Sequence, residues 1–184
     1  MSVQTRSQLQ ASALTITNET AAGANTAARV GGLFDDLADT ATLDRERGVA
    51  NLYLDTNTNF TPTQGQAVKL TTAMKSGLLS TYNFTRTTTA ITYTGTTSAA
   101  LRVAVNMVIA QANSAQIKFY IAKNGTIIAQ SMADLTLSHD NGHAVFTETV
   151  LQGAVNDEFT IFVNAVNSGN PITISALSFT VHTL

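Results

Sequence analysis

Beyond residue 48, apolar positions recur at every second residue. The clearest run is Leu101–Ile109: Leu101, Val103, Val105, Met107 and Ile109 share one face, and Arg102, Ala104, Asn106 and Val108 take the other. Alternation of this kind marks a strand half-buried against a core. Ala115–Ala122 repeats it with Ile117, Phe119 and Ile121. Asn124-Gly125 then separates two apolar runs, a strong hairpin signal because both residue types accept positive φ, and Ile127–Ser131 is predicted to return as the second arm. Shorter strands are predicted at 51–55, 67–71, 82–86 and 90–95. Longer ones are predicted at 134–138, 143–151, 157–166 and 171–183, with turns at Asn141-Gly142 and Gly169-Asn170-Pro171. Many short strands with no helical pattern between them predict a β-sandwich or barrel and argue against βαβ units. In the last strand Ile172 and Ile174 have one parity and Leu177, Phe179 and Val181 the other, which predicts a β-bulge near Ala176.

The first 48 residues read differently. Residues 1–25 are polar, with Leu9, Leu14 and Ile16 as isolated apolar positions that can bury little by themselves. They are expected to form an extended arm that is either mobile or docked on a partner. Across residues 26–48 the spacing changes to that of a helix: Val30, Phe34, Leu37 and Ala41 form a stripe flanked by Leu33. Asn25 or Thr26 can cap its start, and Arg45 and Arg47 suit the negative end of its dipole. Gly31-Gly32 weakens this helix by about 1 kcal/mol per glycine, and one so short is marginal alone. The stripe therefore calls for copies of itself, and Gly48 ends the helix. The chain is accordingly divided into an arm (1–25), a helical stalk (26–48) and a head (49–184).

Composition narrows the function. Charged residues make up 12% of the chain, about half the usual share of roughly 25%, and Thr, Ser, Asn and Ala replace them. A net charge of −2 without a basic patch gives no electrostatic footprint for nucleic acid. No apolar run is long enough to span a bilayer as a helix. Cysteine is absent, so disulfide and thiol chemistry are excluded.

Candidate chemistry is sparse. His139 and His143 have a spacing that binds zinc on a helix, but Asp140-Asn141-Gly142 lies between them. They are expected to flank a turn and to hold no metal. Asp35, Asp36 and Asp39 read as the solvated side of the stalk helix. No nucleophile elbow or phosphate loop occurs, and no cofactor is expected. The acidic residues of the head are Asp55, Asp134, Asp140, Glu148, Asp157 and Glu158. Asp157 and Glu158 are adjacent, so in a strand they point to opposite faces, which does not suit the paired carboxylates of a glycosidase. Two aromatics break the parity of their strands: Tyr120 lies opposite the Phe119 side, and Phe162 opposite Phe159, Ile161 and Val163. Either each packs under a neighbouring segment, or both belong to a subunit interface, where aromatics are enriched.

Two stretches carry a family resemblance. ALTITNET followed by GANTAARVGGLFDDLADT resembles a segment of phage fibre and virion proteins that joins an attachment region to a trimerising stalk. The succession LYLD, NFT, ITYTG, LRVAVNMVIA, FYIAKNGTIIA, DEFTIFVNAVN and ITISALSFTVHTL resembles the jelly rolls of the tumour-necrosis-factor and complement C1q type, in the version common among phage structural proteins. The resemblance implies a mainly β chain whose ten-strand jelly-roll sandwich assembles as a homotrimer around an aromatic-lined axis. It further implies a structural, non-enzymatic role as a head fibre or capsid-decoration protein on the phage particle surface, as in crAss-like phages. The arm (Leu9, Leu14, Ile16) would anchor to capsid or other virion proteins. Val30, Leu33, Phe34, Leu37 and Ala41 would form the stalk, with Tyr120 and Phe162 in the head interface. The alternative within the same resemblance is a tail-fibre adhesin that binds a host surface glycan. Neither role calls for nucleic acid or a membrane.

Overall fold

The computed structural model describes residues 48–77, 82–111, 113–138 and 142–184. The arm residues Leu9, Leu14 and Ile16, the stalk residues Val30, Leu33, Phe34, Leu37 and Ala41, and His139 lie outside them. Gly48–Leu184 forms one compact unit.

The alternating segments form two antiparallel sheets packed face to face. The first runs β11 (His143–Gly153), β7 (Ala99–Ala110), β13 (Ile172–Thr183), β1 (Val49–Leu54) and β4 (Lys75–Ser76), with β2 (Thr58–Phe60) also on β13. The second runs β10 (Ala133–Leu137), β8 (Ala115–Lys123), β12 (Glu158–Ala165), β6 (Ile91–Tyr93) and β5 (Phe84–Arg86), with β3 (Ala67–Lys69) on β12 and β9 (Thr126–Ile127) on β8. Period two decides which residues meet between the sheets. Leu101, Val103, Val105, Met107 and Ile109 of β7 face Ile117, Phe119 and Ile121 of β8 and Phe159, Ile161 and Val163 of β12 in one continuous buried cluster.

Three local features follow from sequence chemistry. Asn124 and Gly125 have φ of 51° and 76°, so both occupy the left-handed region that a two-residue hairpin demands. The ladder between β13 and β7 shifts register between Ile174 and Ala176. This bulge brings Ile172, Ile174, Leu177, Phe179 and Val181 all into the core, and it falls where β13 exchanges β1 for β2 as a neighbour. Gly48 is required by contact: a Cβ there would collide with the Tyr82 carbonyl.

The returning arm of the hairpin is shorter than its sequence predicts. Only Thr126 and Ile127 pair with β8, and Ala129–Ser131 coils into a 3-10 turn. The cause is Ser131, which is fully buried. Its hydroxyl accepts from the Ile121 N–H (2.8 Å) and donates to the Ile128 carbonyl (2.7 Å), supplying what a longer strand would otherwise provide. The Ser131 carbonyl in turn accepts from the Thr147 hydroxyl on β11, which ties the two sheets together along that edge.

Topology also gives the head a near and a far end. Val49 pairs with His182, and the Thr183 N–H donates to the Gly48 carbonyl at 3.1 Å, so the chain enters the head beside its last strand. The Asn124-Gly125 hairpin is at this same end, since the Lys123 ammonium reaches the Gln152 carbonyl at the end of β11. The opposite end carries the connections after β1, β7, β10 and β12.

Candidate functional site

The outward face of the first sheet carries the most exposed apolar side chains of the strands. Phe146 (55% exposed) and Val150 (60%) both project from β11. Register places Phe146 beside Asn106, then Ser178, then Tyr53 across the sheet, while Val150 lies beside Arg102, then His182, then Val49. Between Phe146, Val108, Ala144 and Ala176 lies a shallow groove of about 340 Å³ with a mostly apolar lining. The β13 bulge forms one wall of it. β11 pairs only with β7 among the described strands, so its other edge is open.

Charge on this face is compact and self-paired. Arg102 forms an ion pair with Glu148, with its Nε 2.9 Å from Oε2. His182, the ladder neighbour of Arg102, is held below the usual histidine range by burial first and the Arg102 charge second, with Glu148 opposing. At pH 7 the imidazole is neutral, and the face presents no net charge to a partner.

Sequence reasoning missed Phe146 and Val150. In 143–151 both parities contain apolar residues: Val145 and Leu151 on one, Ala144, Phe146 and Val150 on the other. Alternation alone therefore does not mark a core face. The parity test that singled out Tyr120 would have found Phe146 once Val145 and Thr147 were assigned to the interior, where both are buried.

Tyr120 and Phe162 do come together. They are direct ladder partners between β8 and β12, side by side on the outward face of the second sheet, and each is half-buried. The pair is one surface feature and not two separate ones.

The polar groups of the head are arranged as isolated pairs. Asp55 meets Lys75 at 2.7 Å, Asp134 meets Lys118 at 3.7 Å, Asp157 meets Lys123 at 2.7 Å, Glu158 meets Lys69 at 3.3 Å, and Glu148 meets Arg102. Each described carboxylate thus has its own cation. Among the described residues, no group of three or more His, Cys, Asp or Glu is placed to hold a metal ion. His143 Nε2 accepts from the Ser138 N–H at 3.3 Å, which links the end of β10 to the start of β11.

Asp157 has the densest set of partners. It is 6% exposed and accepts from Asn124 Nδ2 and the Ala154 N–H, each at 2.7 Å, besides Lys123. Burial raises its pKa, but the Lys123, Ala154 and Asn124 bonds outweigh it, so the carboxyl titrates below its ordinary value. A depressed carboxylate pKa adds stability above the unfolded value near 3.9 and loses it as pH falls through the folded value. Asp157→Asn is therefore expected to cost about 1–3 kcal/mol at pH 7. Urea melts of the variant and the parent should converge as the pH is lowered below about 4.

No family model matches the chain, and no curated protein matches it. Solved structures do. A crystal structure of murine APRIL at pH 5.0 aligns with TM-score 0.51 and 9% identity, covering 75% of this chain and 99% of that one. Eiger TNF from S. frugiperda aligns with TM-score 0.53 and 10% identity, covering 76% of this chain and 94% of that one. The head is a jelly roll of the tumour-necrosis-factor type. At this identity the likeness is one of fold.

Proposed function

We propose that this chain is a structural protein of a bacteriophage particle: a homotrimeric head fibre or decoration protein, anchored by residues 1–25 and displaying the jelly-roll head outward. The observation that supports this best is the β11 face. Phe146 and Val150 are more than half exposed in a single chain, next to an apolar groove, on a face whose charges cancel. Such a patch marks a protein contact. Gly48 enters the head at its near end, beside β13.

A three-fold ring closes through one heterologous contact repeated by rotation. Patches on the two opposite faces of a sandwich cannot provide it, because joining them stacks copies into an open filament. The Phe146 face and the Tyr120–Phe162 face therefore do not serve the same ring. The more exposed pair is assigned to the trimer axis, in place of Tyr120 and Phe162.

The arm is tested on the particle. With Leu9, Leu14 and Ile16 all changed to Asp, the chain is expected to stay folded by circular dichroism and to be absent from purified particles. Each charge would have to be desolvated at the docking site without a partner, a cost of several kcal/mol. Decoration at the level of the unmodified chain would show that the arm is not the anchor.

A further inference from the structure

We propose that mild acid opens the trimer and that His182 is the group that senses it. The inference rests on the assignment of the β11 face to the trimer axis. Register puts Val150, Arg102, His182 and Val49 in one row across four strands of that face. His182 is half-buried in the single chain and stands two strand spacings from Val150, about 10 Å. An ordinary protein contact covers about 800 Å² on each partner, a disc of roughly 16 Å radius. A contact centred on Phe146 and Val150 therefore takes in His182.

The charges around the imidazole offer it no anion of its own. From β7, Arg102 is its direct ladder partner. Side chains opposite one another in an antiparallel pair have Cβ atoms about 4.5–5.5 Å apart, where like charges are destabilising. From β11, Glu148 is committed to Arg102: its Oε2 accepts from Arg102 Nε at 2.9 Å and from Nη2 as well. From β1, Val49 brings no charge. Lys75, beyond Tyr53 at the β4 edge, is held by Asp55 at 2.7 Å. A neutral imidazole thus leaves the row with one cation and one anion. A protonated one leaves two cations against one anion in each copy, and three-fold symmetry gathers three such surpluses where water is excluded. In the single chain, burial and the Arg102 charge already disfavour the charged imidazole, against the opposing pull of Glu148. Association deepens that burial, so the free chain takes up protons more readily than the trimer. By linkage, the trimer is weakened as pH falls through the free chain's value, itself below the ordinary one near 6.5, and the loss is complete below the trimer's value.

The test is light scattering coupled to size exclusion on the full chain, at about pH 7.5 and about pH 5 and at one ionic strength, a range in which histidine changes charge. Three imidazoles act together, so a tenfold penalty at each multiplies to about a thousandfold in the trimer association constant. The parent should pass from three chains to one at micromolar concentration, with a circular dichroism spectrum that stays that of the folded head. His182→Gln should remain trimeric at both values, and His182→Lys should be weakened already at the higher one. His139→Gln combined with His143→Gln leaves His182 as the one histidine of the chain, and this variant should respond to acid as the parent does. If His182→Gln fails to fold, the parent decides. The pH at which its His182 ring protons titrate by NMR should fall as protein concentration is raised, because the trimer resists protonation. Three results overturn the proposal: a parent equally trimeric at both values, a glutamine variant that opens in acid like the parent, or a titration indifferent to concentration. A parent that is monomeric at the higher value fails the trimer reading itself, and the acid response falls with it.

Discussion

Phe179→Ala is expected to lower the stability of the head by about 3–5 kcal/mol. Phe179 is fully buried in β13, and its ladder partners on either side, Leu52 of β1 and Val105 of β7, are fully buried too. Three adjacent strands hold the site open, so the wall cannot collapse into the space left by the ring. Most of the cavity cost therefore remains beside the lost transfer energy. Against a typical total of about 5–15 kcal/mol, this is about a fifth or more of the fold's stability. Urea unfolding followed by circular dichroism should show a large drop in midpoint with little change in slope. A loss under about 1 kcal/mol would mean that the interior between the sheets is not packed as described.

Phe146→Asp together with Val150→Asp should convert the proposed trimer to monomers. Burying an aromatic or aliphatic side chain of this size contributes about 1.5–3 kcal/mol, and three-fold symmetry repeats the gain at each contact. The substitutions remove that gain and add carboxylates beside Glu148 on a face that must be desolvated, where like charges repel. The fold itself should be spared, because both side chains already point to solvent in the single chain. Light scattering coupled to size exclusion should report three chains for the parent and one for the variant at micromolar concentration, with matching circular dichroism spectra. A variant that remains trimeric would remove β11 from the interface.

The interior of the head was legible because its long strands bury mainly one face. In β7 and β8 the side-chain parity read from sequence is the parity observed, and the phase change in β13 correctly demanded a bulge. Asn124-Gly125 was legible for a different reason, since few residue pairs tolerate two positive φ values in succession. β2 and β4 were not: they have three and two residues, too few to show a period, and they exist because longer strands offer them an edge. Strand neighbours were equally hidden. Nothing local in β13 says that it lies between β7 and β1, whose sequence positions are far apart.

The surfaces were legible only in part. Tyr120 and Phe162 stood out because their strands are otherwise regular, although their adjacency needed the β8–β12 register. Phe146 did not stand out, because apolar residues occupy both faces of β11. Strand alternation excluded Asp157 and Glu158 as a carboxylate pair, but the role of Asp157 as a buried clasp between two turns depends on Asn124 and Lys123, more than thirty residues earlier.

The most direct test of the particle reading is cryo-electron microscopy of intact virions that carry this chain. The account predicts projections of three-fold symmetry on the capsid, each fitted by three copies of the 48–184 sandwich, with β11 toward the axis and the near end toward the shell. Particles that contain no copy of the chain, or copies present singly with Phe146 facing solvent, would contradict it.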